Sequence, residues 1–432
     1  MIAKVTCKNP HGVIEVIPSK SVAHRLLICA ALSDKDTEIV CPASSLDIAA
    51  TARCLESLGA QITEKDGVYR VSPIKKREEA ELFCGESGST LRFLIPVAAA
   101  LGGRITFTGE GRLPTRPCSP LTECLKARGA GIEYDGVLPL ITLGGLLPGH
   151  FTIAGNISSQ FITGLIFALP LLSGDSVIDI TGKIESLPYI NITLQAVREF
   201  GIIAEFEGNK IRIPGNQKYV SPGRLTVEGD WSNAAFWACL GALSEEGITV
   251  SGVRKESLQG DRAVMDILSR FGAEVIQGED FISVRRKNLT AVRIDASEIP
   301  DLVPVLTVVA AVANGETLIY NASRLRIKES DRIESTVAML RALGASAEPT
   351  SDGIRVFGKR ALTGGKVDSY NDHRIAMSAA VAAAVAENAV EICGAEAVRK
   401  SYGDFFEKYE ELGASGERKE VQENWHHKSA KN

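Results

Sequence analysis

A chain of 432 residues, 45% apolar and 23% charged, is long enough for two to four hydrophobic cores and has ordinary globular usage, which excludes a disordered, collagenous or coiled-coil protein. Its formal charge of −5 argues against nucleic acid or an anionic membrane as the main partner, so any anionic ligand must be met by local cations. The longest apolar runs, 299–313 and 375–386, are interrupted by Asp301 and Ser378 and fall short of the roughly 20 residues a membrane span needs.

In chain order, an apolar helix at 21–31 is followed by a second helix closed by Leu58-Gly59-Ala60 and a hairpin at Asp66-Gly67. The same succession returns at 89–101 with Arg128-Gly129-Ala130 and Asp135-Gly136, and at 159–172 with Phe200-Gly201-Ile202 and Glu207-Gly208. It recurs at 232–243 with Phe271-Gly272-Ala273, at 300–312 with Leu343-Gly344-Ala345 and Asp352-Gly353, and at 373–386 with Leu412-Gly413-Ala414. The six glycines lie 70, 72, 71, 72 and 69 residues apart. Gly after the last helical residue is the expected left-handed cap, because only Gly reaches positive φ without steric cost.

Each unit of about 71 residues therefore reads as a small α/β subdomain, too large for a solenoid repeat. Six exceed one core, so two domains of three units are expected, with the break near 223–229. A string of independent modules is the alternative, against which stands the lack of a Pro/Ser-rich linker. Residues 415–432, polar and aperiodic, are expected to be a tail.

The start shows no apolar stretch of a signal peptide, and the nine cysteines, odd in number and without a CxxC, read as reduced core thiols; a cytosolic address follows. Cys118 beside Arg116 is expected to be a partly exposed thiol with a lowered pKa, though not a catalytic one. Six histidines lack metal spacing, and no cofactor motif is present, so neither metal nor cofactor is expected.

Cations stand repeatedly where helices begin, an unfavourable place unless an anion lies between them and the exposed amides. They are Lys20 and Arg25 in Pro18-Ser19-Lys20-Ser21, Arg92 after Gly88, Arg116, Lys328 and Arg332, Arg374 after Asn371-Asp372-His373, and Lys400. Ser158, Ser159, Gln160 and Ser186 add neutral groups at two more helix starts, as phosphate donors or as plain caps. Asp301 reads as a helix cap or a catalytic base. Glu329 reads as a surface ion-pair member or a catalytic acid.

On these segments, and over residues 1 to about 412, the sequence resembles the enolpyruvyl transferase family, in the branch that acts on shikimate 3-phosphate. The resemblance implies a two-domain inverse α/β barrel with helix N-termini facing an interdomain cleft. It further implies a discontinuous domain, 1–18 plus 229–414, and an inserted domain, 19–228. The implied reaction moves the enolpyruvyl group of phosphoenolpyruvate to the 5-hydroxyl of shikimate 3-phosphate (3-phosphoshikimate) and releases phosphate, in the route to chorismate and the aromatic amino acids.

By the same resemblance, Lys20, Ser21, Arg25, Ser158, Ser159, Gln160, Ser186, Asp301 and Lys328 would hold 3-phosphoshikimate. Lys20, Gly88, Arg116, Gln160, Arg332, Arg374 and Lys400 would hold phosphoenolpyruvate, with Arg92 supporting the Gly88 loop. Asp301 would act as base on the 5-hydroxyl and Glu329 as acid to the methylene carbon, assisted by Lys328. The implied partners are those two small molecules only, and the implied state is a monomer. The chain departs from many family members at Glu86, at Phe93 and at Arg324, where an Asn touching the shikimate moiety is common; these positions bear on the response to glyphosate. The related UDP-N-acetylglucosamine transferase is the nearest rival, disfavoured by Ser21, Arg25 and Thr115. A noncatalytic anion-binding repeat protein is the other, and it would have no need of Asp301 and Glu329.

Overall fold

The computed structural model describes residues 1–420 apart from 44 and 76. All six cap glycines have positive φ, between 76° and 109°, and each releases the chain from a helix into a strand. Six four-stranded sheets follow, one per unit. They share one pairing scheme: an edge strand runs parallel to its neighbour, and the remaining two pair antiparallel. In the second unit Glu79–Phe83 lies parallel to Arg104–Thr108, which pairs antiparallel with Leu140–Thr142, and that in turn with Ile132–Glu133. A Cβ on Gly353 would come within 1.9 Å of the Ile319 carbonyl oxygen, so that hairpin turn tolerates no side chain.

Three sheets borrow strands from distant sequence. Arg224–Thr226 is the parallel edge beside Thr37–Val40, and His11–Glu15 is the parallel edge beside Gly247–Ser251. In the sixth unit Ile2–Cys7 lies between Val390–Cys393 and Ala414–Lys419, antiparallel to both. The expected tail beginning at Ser415 is thus corrected: its first residues complete a sheet. The strand was hidden because it is an edge, with every residue after Ala414 exposed and no apolar alternation. Residues 421–432 lie outside the described residues.

Buried apolar side chains gather into two clusters, one drawn from residues 23–227, the other joining 3–16 with 231–414. The inner helices are almost wholly apolar; in Trp231–Ala242 only Ser232 is not buried. That helix packs on Val303–Ala310 and His373–Ala382, while Gly88–Leu101 packs on Ser159–Ala168 in the other half. Several run shorter than their apolar patterns. The one predicted over 300–312 begins as a 3₁₀ turn at Pro300–Leu302, and the one over 159–172 becomes 3₁₀ at Leu169–Leu171, where Pro170 cannot donate.

The chain passes between the halves twice, side by side. Pro18 bridges Gly229, Ser19 N donates to the Glu228 carbonyl at 2.7 Å, and Asp230 N to that of Ile17 at 2.9 Å. Gln259 ties the crossing together. Its amide oxygen accepts from Ser19 Oγ (3.0 Å) and Trp231 N (3.1 Å), and its nitrogen donates to the Gly229 carbonyl (2.8 Å) and Glu228 (2.9 Å). Gly229 is dictated by closeness, since a Cβ there would lie 2.2 Å from the Gly252 carbonyl oxygen.

Candidate active site

First-turn residues of inner helices from both halves line one pocket: Lys20 and Ser21, Gly88 and Ser89, Ser159 and Gln160, Ser232, His373 and Arg374. Their exposed amides give that pocket a positive bias before any side chain is counted. Arg25, Arg92, Arg116, Ser158, Ser186, Asp301, Lys328, Glu329 and Arg332 line it as well. Of the residues expected there, only Lys400 stands off the lining. Its ammonium lies 3.0 Å from Glu86 of the other half and 2.7 Å from the Asn371 carbonyl oxygen.

In the first half, neutral groups aim the guanidinium ions. Arg25 donates through Nε to Thr193 (2.8 Å) and through Nη1 and Nη2 to the carbonyls of Ser21 (2.6 Å) and Tyr189 (3.1 Å), and it sits 5.0 Å from the Phe93 ring centre. Arg92 donates to Gln160 Oε1 (2.7 Å) and the Pro117 carbonyl (3.2 Å), over the ring of Phe161. Burial lowers both to about 10, and Arg116 adds to the effect at Arg92. Gly88 is explained by Arg116: a Cβ would lie 2.8 Å from its Nη1, so only Gly lets the guanidinium rest on the helix start. Lys20 pairs with Asp47 at 2.8 Å.

The second half compensates its cations with carboxylates. Arg332, 1% exposed at its side chain, donates to Asp301 Oδ1 (2.7 Å), Glu329 Oε2 (2.7 Å) and Asp372 Oδ2 (2.8 Å). Burial works against its charge, yet the three carboxylates outweigh it and raise its pKa. Asp301 is no helix cap: it sits in the 3₁₀ turn, 3.2 Å from Tyr189 Oη, 3.6 Å from Lys328 Nζ and 3.6 Å from Arg374 Nη2. Burial pushes its carboxyl up, but Arg374, Lys328 and Arg332 hold it well below the usual range. Glu329 is likewise held ionised, burial being overcome by Arg332 and by Arg116, which reaches it from the other half at 3.6 Å. Lys328 is lowered by its burial, with Asp301 opposing.

Other expectations divide. Ser158 Oγ accepts from Gln160 N (3.3 Å) and so does cap its helix, whereas Ser186 makes no cap and holds φ at 57°. Cys118 is corrected: it is buried, and that burial raises its pKa against the pull of Arg92 and Arg116. His24 and His373 are buried and lowered well below 6.5, chiefly by desolvation. Among the described residues no cluster of His, Cys, Asp and Glu could hold a metal, and no helix is long and apolar enough to cross a membrane.

Sequence reasoning missed Asp47, Tyr189, Ser232 and Asp372, which position the predicted groups. It also left Asp261 unremarked, a buried carboxyl pushed up to about 7 by desolvation and by Asp301. Asp372 could have been found: it caps the His373–Ala382 helix through Arg374 N at 2.9 Å, in a cap position visible in the sequence.

A pocket of this kind, set between two three-sheet halves and pairing fixed cations with two ionised carboxylates, defines a class of enzyme that brings anionic substrates together. The sequence matches the family described as EPSP synthase (3-phosphoshikimate 1-carboxyvinyltransferase) over residues 6–409. The 3-phosphoshikimate 1-carboxyvinyltransferase of Clostridium kluyveri is 44% identical over 408 residues, spanning 93% of this chain and 95% of that one. That of Clostridium novyi is 41% identical over 427 residues, spanning 95% and 97%. The solved EPSP synthase of Acinetobacter baumannii superposes with a TM-score of 0.81 at 25% identity, covering 97% of this chain and 100% of that one. In fold alone, the enolpyruvyl transferase NikO of Streptomyces tendae is similar, at TM-score 0.80 and 18% identity over 96% and 98% of the two chains. The chain belongs to the EPSP synthase family.

Proposed function

We propose that the protein transfers the enolpyruvyl group of phosphoenolpyruvate to the 5-hydroxyl of shikimate 3-phosphate, releasing inorganic phosphate, as a step of aromatic amino acid biosynthesis. One observation carries this reading: Lys20, Arg92, Arg116, Lys328 and Arg374, drawn from both halves, share a pocket with Asp301 and Glu329. Two substrates that each bear phosphate and carboxylate repel one another, and fixed cations with helix N-termini offset that repulsion while aligning the reacting atoms.

In this reading 3-phosphoshikimate lies against Lys20, Ser21, Arg25 and the three serines, and phosphoenolpyruvate against Arg116, Gln160 and Arg374, with Arg332 and Lys400 behind. Asp301, ionised and close to Lys328, accepts the 5-hydroxyl proton as that oxygen adds to C2 of phosphoenolpyruvate. Glu329 delivers a proton to the methylene carbon. Its present ionised state follows from Arg332 and Arg116, so the anions of phosphoenolpyruvate must draw off the Arg116 charge before Glu329 can carry that proton. In the elimination the proton roles reverse and phosphate leaves.

The two hydrophobic clusters act as domains, 1–18 plus 229–414 and 19–228, closing about the Gly229 crossing. We read the protein as a cytoplasmic monomer. The test is phosphate release from phosphoenolpyruvate with shikimate 3-phosphate, the enolpyruvyl product being confirmed by mass; release only with UDP-N-acetylglucosamine would overturn the assignment in favour of the rival transferase.

A further inference from the structure

Arg324 stands in the 3₁₀ turn Ser323–Ile327 of the second half, yet its guanidinium works on the first. Nε forms an ion pair with Glu185 at 2.5 Å, and Nη2 donates to Ser186 Oγ (3.0 Å) and to the Ser297 carbonyl (2.6 Å). Nη1, with two N–H groups, has no partner among the described residues. The direction of the Ser186 bond matters. Because Arg324 supplies the proton in that contact, the hydroxyl's own proton is left without an acceptor, although Ser186 is 2% exposed and lines the pocket. Ser159, 7% exposed, has an equally uncommitted hydroxyl, and that of Ser158 is an acceptor towards Gln160 N, so its proton too is free. Three hydroxyl donors of one half and a guanidinium edge of the other face one pocket, and none of the three hydroxyl protons has an acceptor among the described residues. That donor set suits a tetrahedral dianion. The positive φ of Ser186 adds a strained backbone of the kind that persists at ligand sites.

We propose that Arg324 is a specificity-determining residue that binds the phosphate group of shikimate 3-phosphate from across the cleft and thereby selects the phosphorylated over the unphosphorylated ring. The inference rests on the reaction proposed above and extends it by one residue. Glu185 lies beside Nε, while Ser186 and the Ser297 carbonyl hold Nη2 and set the plane of the fork, so that Nη1 meets the phosphate without reorganisation. A purely structural Arg324, latching the halves through Glu185, would favour every ligand that needs closure and would not distinguish between them.

The experiment is a ligand cycle on the full chain: dissociation constants of shikimate 3-phosphate and of shikimate, measured calorimetrically for wild type and Arg324→Gln. The expected result is a loss of about 10- to 100-fold for the phosphorylated ligand and less than about 2-fold for shikimate. Arg324→Lys keeps the charge without the fork, should retain part of the selectivity, and serves as the cycle partner if Arg324→Gln folds poorly. Equal weakening of both ligands, or no selective weakening, overturns the inference. Wild-type protein that failed to bind shikimate 3-phosphate would instead sink the reaction itself, an outcome separate from any behaviour of the variants.

Discussion

The two walls of the pocket solve the burial of arginine in opposite ways. Arg25 and Arg92 are surrounded by hydroxyls, carbonyls, an amide and aromatic faces, with no carboxylate within ion-pair distance among the described residues, and their pKa values fall to about 10. Arg332 and Arg374 lie among Asp301, Glu329 and Asp372, and theirs rise. On the first wall Arg25 and Arg92 carry charge that a ligand anion can still neutralise. On the second the charge is already spent inside the protein, where it holds two carboxylates ionised. In the proposed reading the first wall leans toward anion binding and the second toward proton chemistry, and each needs the other.

That division is broken most severely by removing Asp301, the proposed base of the second wall. Asp301→Ala should lower kcat by about 10²- to 10⁴-fold, the usual weight of general acid–base help, while both substrates still bind. Steady-state kinetics with equilibrium binding of each substrate checks this, and undiminished turnover would remove Asp301 from the mechanism.

Next comes a paired substitution that sets one wall against the other. Arg332→Met leaves Asp372, with no exposed side chain, short of its cationic partner and should cost about 3–5 kcal/mol of stability in urea denaturation. Arg92→Met removes a buried charge that has no carboxylate to strand, so stability should change by less than about 1 kcal/mol while the KM for phosphoenolpyruvate rises about 10-fold. Similar stability losses in both variants would erase the contrast.

The same contrast has a pH signature. Asp301 and Glu329 sit below their ordinary pKa values, so each lends stability that is complete above the unfolded value, near pH 4, and is lost as pH falls toward the folded one. Arg332→Met weakens the hold on both. Its stability should therefore depend less steeply on acid between about pH 4.5 and 3 than that of the wild type, whereas Arg92→Met should follow the wild-type slope; denaturation midpoints across that range decide it.

How much of this was legible in the sequence follows from what each feature depends on. The six caps were readable because positive φ is a local demand that Gly alone meets cheaply, and the cations because charge at a helix start is a local anomaly. The parallel edges at His11–Glu15 and Arg224–Thr226 were not readable as such, since a partner more than 180 residues away leaves no local pattern. Ala414–Lys419 was predictable from the repeat, which puts a strand after every cap, and was obscured by its exposed, polar composition. Cys118 misled because proximity to Arg116 was weighed without its burial. Asp47 and Tyr189 carry no anomaly of their own, and their place is known only once Lys20 and Asp301 are seen beside them.

The finest test concerns Lys400, the one expected substrate cation whose ammonium is already taken by a carboxylate from the opposite wall. Glu86 binds it at 3.0 Å and also accepts from Asn371 Nδ2 at 3.0 Å, so the pair joins the halves beside the pocket. Glu86→Gln keeps an acceptor for Asn371 and removes only the charge. Because both side chains are mostly buried, the ion pair is worth more than a solvated one, yet Lys400 retains the Asn371 carbonyl, and the thermal midpoint should shift by no more than about 2–4 °C. The released ammonium becomes available to an anion, which should tighten phosphoenolpyruvate about 2- to 3-fold. A looser complex in that variant would mean that Glu86 serves closure more than it competes with substrate, and would move Lys400 from the charged wall to the hinge side of the comparison.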